Sequence, residues 1–153
     1  MIELRFESRL AVSAPVLWAR VSTLDGVNEE LGPWLSMSYP PARASLQDVT
    51  PAPLLFSSWV RLFGVLPVDR HHLGLERLYP EQGFDERSSS WSQRLWIHRR
   101  RLHVIEGGVR VTDELVFEPR LAAAGAMLKS FVGAVFRHRH RRLRARYGEL
   151  EPE

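Results

Sequence analysis

The sequence predicts an α+β fold, a strongly curved antiparallel sheet of about six or seven strands wrapped round a long C-terminal helix, with two short helices after the first strand. Three observations predict it. The N-terminus alternates apolar and charged residues and then breaks into two short capped stretches; a succession of strand-like runs separated by Gly and Pro follows; and the chain closes on a long amphipathic segment, Leu121 to Tyr147. A curved sheet cannot touch a straight helix along its whole length, so this arrangement can leave a cavity between them.

Taken in order, Ile2, Leu4, Phe6 and Leu10 alternate with Glu3, Arg5, Glu7 and Arg9, the period-two signature of a half-buried strand. Ser13 can cap a helix whose first turn tolerates Pro15 and which carries Leu17, Trp18 and Val21 on one side. Thr23 or Asp25 starts a second helix to about Leu31, stopped by Gly32 and Pro33. Trp34 to Tyr39 reads as a second strand. Pro40 to Pro53 holds four prolines and little periodicity, and reads as a connecting loop or as a distorted edge over the mouth of a pocket. Strands then follow over Phe56 to Leu66, Val68 to Tyr79 and Phe84 to Trp91, with turns at Pro67 and at Pro80 with Gly83.

Trp91 to Pro119 organises the rest. Gly107 and Gly108 lie between two runs rich in β-branched and aromatic residues, which predicts a two-residue hairpin loop centred on the glycine pair. Glu106 then faces Val109, Leu102 faces Asp113, Arg100 faces Leu115 and His98 faces Phe117. One face carries Trp96, His98, Arg100, Leu102 and Val104 beside Val109, Val111, Asp113, Leu115 and Phe117, and its apolar character makes it the inner one. Three ionisable groups sit on it: His98, Arg100 and, on a diagonal, Asp113.

On a 100° wheel the last segment gathers Leu121, Met127, Leu128, Phe131, Val132, Val135 and Phe136 on one arc. Arg137, Arg141 and Arg144 point away from it. Arg139 falls on its centre, Leu143 lies beside it, and Arg142 and Arg146 are near its edge. His138 and His140, two apart on a helix, do not share a face and are expected to be solvated.

The composition narrows the function classes. With 153 residues, 44% of them hydrophobic, the chain can form a core and is expected to be one domain over residues 1–150. It has no cysteine, which removes thiolate chemistry and disulfides. No apolar run is long enough for a membrane span and the N-terminus lacks a leader pattern, so no stable membrane insertion and a cytoplasmic location are expected. The formal charge of +3 would raise nucleic acid as a partner, but Lys129 is the only lysine among 21 basic residues, a pattern of codon bias more than of a phosphate footprint. Asp69, His71 and His72 in VDRHHL offer at most two inward groups and no third ligand, so no metal is expected. GVLPVDR and EGGVR lack phosphate-loop spacing, so no cofactor is expected either.

SAPVLWARV in the first helix, NEELGPWLSMS leading into the second strand, WIHRR and RVTDELVFEP in the hairpin and FRHRHRRL near the end together give the chain its likeness. It resembles the START-like, polyketide cyclase and Bet v 1 related superfamily, with the helix-grip fold, over essentially its whole length. The resemblance implies a hydrophobic pocket for lipids, sterols, polyketides, quinones or plant hormones, in a family most of whose members bind or carry and only some, such as aromatase-cyclases, catalyse. The loop from Pro40 to Pro53 departs from the better-known cyclases in its length and prolines.

Each candidate residue has two readings. His98, Arg100 and Asp113 could form an internal salt-bridge network, since buried charges need partners. Alternatively, His98 and Arg100 face a ligand oxygen while Asp113 orients Arg100. Arg139 either pairs with a strand carboxylate such as Asp113 or reaches into the cavity. Among Trp59, Trp91, Trp96, Phe63 and Phe117, Trp96 and Phe117 are the expected pocket liners because they share the face of His98. The function expected first is binding or carriage of a small hydrophobic ligand by Trp96, His98, Arg100, Asp113, Phe117 and Arg139. The second is a cyclase or dehydratase-like enzyme with His98 as general base and Arg100 at the developing charge. A nucleic-acid surface on the outward face of the last helix ranks third, because no exposed aromatic accompanies Arg137, Arg141 and Arg144.

Overall fold

Strand β1 (Ile2–Leu10) lies beside the last strand of the chain rather than beside its neighbour in sequence, and that pairing closes the architecture. The computed structural model describes residues 1–152. After β1 come helices α1 (Ala14–Val21) and α2 (Leu24–Leu31), then strands β2 (Leu35–Met37), β3 (Ala52–Leu62), β4 (Leu66–Tyr79), β5 (Gly83–Ser90), β6 (Gln93–Ile105) and β7 (Gly108–Pro119), and finally α3 (Gly125–Tyr147). The seven strands form one antiparallel sheet in the order β1-β7-β6-β5-β4-β3-β2. Register irregularities in β3, β4 and β6 add local twist, which curls the sheet around α3. The α+β, helix-grip arrangement is therefore the one observed.

The boundaries differ from the sequence reading where glycine and proline have different tasks. The β3–β4 turn uses Phe63 and Gly64, both at positive φ, and Pro67 lies inside β4 opposite Arg61. Pro67 is tolerated there because it precedes the stretch in which β4 pairs with β5. Between α1 and α2 the cap is Thr23, whose hydroxyl accepts from the Gly26 amide at 3.0 Å. Ser13 occupies the cap position of α1 without a side-chain cap bond.

The proline-rich loop is anchored. The Leu24 amide donates to Ala44 O and the Leu46 amide to Ser22 O, each at 2.8 Å, which fixes the loop against the α1–α2 junction and buries Leu46. Its last residues, Ala52 and Pro53, already belong to β3.

The β6–β7 register is displaced by two residues from the one expected. Glu106 and Gly107 form the turn, Ile105 pairs with Gly108, and Arg100 therefore lies directly opposite Asp113 while His98 faces Leu115 and Trp96 faces Phe117. A two-residue slip keeps every side chain on its face, so the inner set survives except for Val104, which is exposed at the sheet end. Only Gly107 supplies positive φ, at 81°; Gly108 is a glycine because a Cβ there would come within 1.9 Å of Leu10 O on β1. Gly108→Ala is accordingly expected to cost about 3 kcal/mol by forcing β1 away, and Gly107→Ala about 1 kcal/mol of backbone strain. Urea denaturation of the two variants checks the order, and an equal loss would remove this account of the turn.

The α3 stripe that meets the sheet is Val132, Phe136, Arg139, His140 and Leu143. Of the expected arc, Leu121, Met127 and Phe131 are exposed, and Leu121 lies before a 3-10 turn at Ala122–Ala124 and outside α3. One apolar cluster joins α1, α2 and the middle of the sheet, and a second joins Leu115, Phe117, Val132 and Phe136 to β1.

Candidate functional site

Strand alternation sends one pair after another of β6 and β7 residues inward: Leu102 with Val111, then Arg100 with Asp113, then His98 with Leu115 and Trp96 with Phe117. The charged pair falls between the two apolar clusters. The ionic layer therefore divides the core.

Its centre is the Arg100 guanidinium, 1% exposed, which donates from Nε and Nη2 to Asp113 at 2.8 Å each and from Nη1 and Nη2 to Glu30 at 3.0 and 2.8 Å. Asp113 also accepts from His98 Nε2 and from His140 Nε2, each at 2.7 Å. Four bonds fill the acceptor sites of one carboxylate. His140 in turn meets Ser8 Oγ through Nδ1 at 2.7 Å, and Arg144 Nη1 donates to the same hydroxyl at 3.0 Å. Beyond His98 stands Glu86, whose Oε1 is 3.6 Å from His98 Nδ1 and whose Oε2 accepts from His71 Nε2 at 2.7 Å and from Ser88 Oγ at 2.6 Å.

Burial alone would raise the pKa of every acid in this layer. At Asp113 the Arg100 charge and hydrogen bonds, with help from His98 and His140, more than reverse it and hold the carboxyl well below the usual range. Burial likewise opposes ionisation at Glu30, but the charges of Arg100 and Arg139 bring its pKa down. Glu86 is lowered strongly against its burial by hydrogen bonds and charge from His71 and His98. Arg100, despite burial, is raised by its two carboxylates. All three acids are thus anions held by donors.

A cavity of about 190 Å³ lies beside this layer, between the sheet and α3. Its apolar wall comes from α1, α2, β2 and the sheet, with Leu46 of the anchored loop, and its aromatic wall is Phe84, Trp96, Phe131 and Phe136. Phe131 lines the cavity and also reaches the surface. His98 and Arg139 line the cavity; Arg139 Nε donates to Glu30 at 3.2 Å while its guanidinium stacks over Phe136 at 4.7 Å. Its partner is thus Glu30, not the strand carboxylate Asp113. Arg100 and Asp113 stand behind the wall, and Phe117 packs under Trp96 at 5.6 Å in the second cluster. Trp59 and Trp91 pair with each other, and Phe63 with Trp34, away from the cavity.

His140 is 2% exposed and belongs to the layer, and His138 is bonded to Gly32 O at 2.7 Å, so neither is a solvated histidine. Arg137 and Arg141 project outward, whereas Arg144 is tied to Ser8 and lies 3.8 Å from Glu149. Among the described residues no three His, Asp or Glu side chains are arranged to hold a metal ion, and no helix is long and apolar enough to cross a membrane.

A family model described as a domain of unknown function, DUF8410, matches residues 8–147. The chain belongs to this family. No curated protein matches the DUF8410 chain in sequence. Among solved structures it is similar to a protein from Chromobacterium violaceum, with a TM-score of 0.74 at 10% identity over 99% of each chain. It is similar also to a START superfamily protein from Mycobacterium smegmatis, with a TM-score of 0.63 at 12% identity over 95% of each chain. DynU16, from the dynemicin biosynthetic locus, matches with a TM-score of 0.63 at 17% identity over 97% of the DUF8410 chain and 49% of its own. At such identities the likeness concerns the fold, which is START-like.

Proposed function

We propose that this DUF8410 chain binds or carries a small hydrophobic molecule in the cavity between its sheet and α3. The observation that carries the reading is the cavity itself, about 190 Å³ and walled chiefly by aliphatic and aromatic side chains. A dry apolar cavity of about 150 Å³ accepts benzene, so this volume suits a compact molecule of one or two rings, quinone or polyketide-like, or a short lipid segment. Catalysis has less support. A general base needs a nitrogen within reach of a substrate proton, whereas His98 Nε2 is bonded to Asp113 and its Nδ1 faces Glu86.

Native mass spectrometry tests the reading. The purified chain, as isolated and after incubation with one- and two-ring quinones and phenols, is expected to carry added mass that leaves on denaturation. Val132→Phe, which fills the cavity wall from α3, is expected to lose that mass while remaining folded. A clean unliganded mass under all these conditions would overturn the proposal.

A further inference from the structure

Most polar side chains on the cavity wall make at least one hydrogen bond within the protein. Glu86 accepts from His71 and Ser88, Arg139 donates to Glu30, Ser92 Oγ donates to Asp69 Oδ2 at 2.5 Å, and Ser90 Oγ accepts from the backbone N–H of Gln93 at 3.0 Å. The Gln93 side chain differs. It is 5% exposed, it lines the cavity, and its buried Oε1 has no hydrogen-bond partner among the described residues.

Its direction is built into the strand. Gln93 and Trp96 have opposite parity on β6 and would face opposite sides of a regular strand. The register irregularity between Gln93 and Leu95 adds a residue there, and both side chains reach the cavity. Bulges commonly re-aim a side chain next to a functional site. A buried amide oxygen without a partner is costly to the unliganded fold, and an aliphatic residue at position 93 would avoid that cost.

We infer that Gln93 is a ligand-recognition residue, and that the ligand is an aromatic or alicyclic ring system bearing a hydrogen-bond donor, a phenolic or alcoholic hydroxyl, which donates to Gln93 Oε1. The ring body lies against the aromatic wall of Trp96, Phe136, Phe84 and Phe131. An unpartnered acceptor on this wall selects a hydroxylated ring over its ether or hydrocarbon analogue. The inference rests on the proposed cavity-binding function and specifies its ligand.

Calorimetric titration of the full chain with 1-naphthol and with 1-methoxynaphthalene tests it, since the two differ in the donor. The wild type is expected to bind the naphthol about tenfold more tightly. In Gln93→Met the preference disappears through weaker naphthol binding, and the unliganded variant melts about 2–4 °C higher because the unpartnered oxygen is gone. Equal affinities in the wild type would overturn the inference and leave the binding function standing. A preference kept by Gln93→Met together with a lower melting temperature would make Gln93 structural and overturn it. Binding of neither compound would overturn the inference, whereas the proposed function stands or falls with the mass-spectrometric test. The wild-type comparison decides even if the variant does not fold.

Discussion

Arg100→Leu is expected to destabilise the chain by about 3–5 kcal/mol, because removing one partner of a buried ionic group strands the others. Asp113 would lose two of its four donors and keep only the imidazoles of His98 and His140; Glu30 would keep only Arg139. Single domains are stable by roughly 5–15 kcal/mol in total, so the melting temperature should fall by roughly 10 °C. Arg100→Lys should recover less than half of the loss, since a compact ammonium cannot span two carboxylates as the planar fork does. The internal control is Arg99→Leu: Arg99 is adjacent but exposed, and surface changes stay within about 0.5 kcal/mol. Urea denaturation followed by tryptophan fluorescence measures all three. Equal losses for the position 99 and position 100 leucine variants would mean that the ionic layer does not support the core.

What could be read from the sequence follows the strength of periodic signals. Alternation places His98, Arg100 and Asp113 on one face, and alternation tolerates a two-residue error in the turn; that is why the inner face is legible although the register is not. The turn itself is misread because two adjacent glycines look alike in sequence, while one serves the φ requirement and the other the approach of Leu10. Helical periodicity likewise places Arg139 inward but cannot name its partner.

The partners came from elements whose own patterns are weak. Glu30 lies at the border of the apolar side of α2, a helix of 8 residues in which the adjacent Glu29 is equally acidic and only partly buried. Glu86, Ser88 and Ser90 share the inner side of β5 with Phe84, and with one apolar member that face carries no hydrophobic alternation to detect. Period two counted from Phe84 would have found them. His140 was hidden for a related reason: the stripe of α3 that meets the sheet holds an arginine and a histidine, so a wheel drawn from apolar residues alone is centred too far toward Met127 and Phe131. Polar residues on an inner face are the signal of this site, and hydrophobicity is blind to them.

The second large effect concerns acid. Glu30, Glu86 and Asp113 all have folded-state pKa values below their ordinary ones, each against a burial cost that neighbouring donors outweigh. A depressed carboxylate contributes stability that is fully present above the unfolded pKa, about 4 for Asp and Glu, and is lost as the pH falls toward the folded value. Between those limits the unfolded chain binds protons that the folded chain refuses, so stability must fall with decreasing pH. Three such groups titrating together give a slope approaching 4 kcal/mol per pH unit, about 1.4 for each proton. Stability is therefore expected to vary little on account of these acids from neutrality down to about pH 5, and to collapse between about pH 4 and pH 3. The slope identifies the groups, because Glu86→Gln removes one titrating carboxylate and should flatten it by about a third, with a lower but less acid-sensitive stability. Urea midpoints measured at half-unit intervals from pH 7 to pH 3 give the slope directly. A wild-type slope of zero below pH 4.5, or one that Glu86→Gln leaves unchanged, would show that the layer is not held by ionised carboxylates.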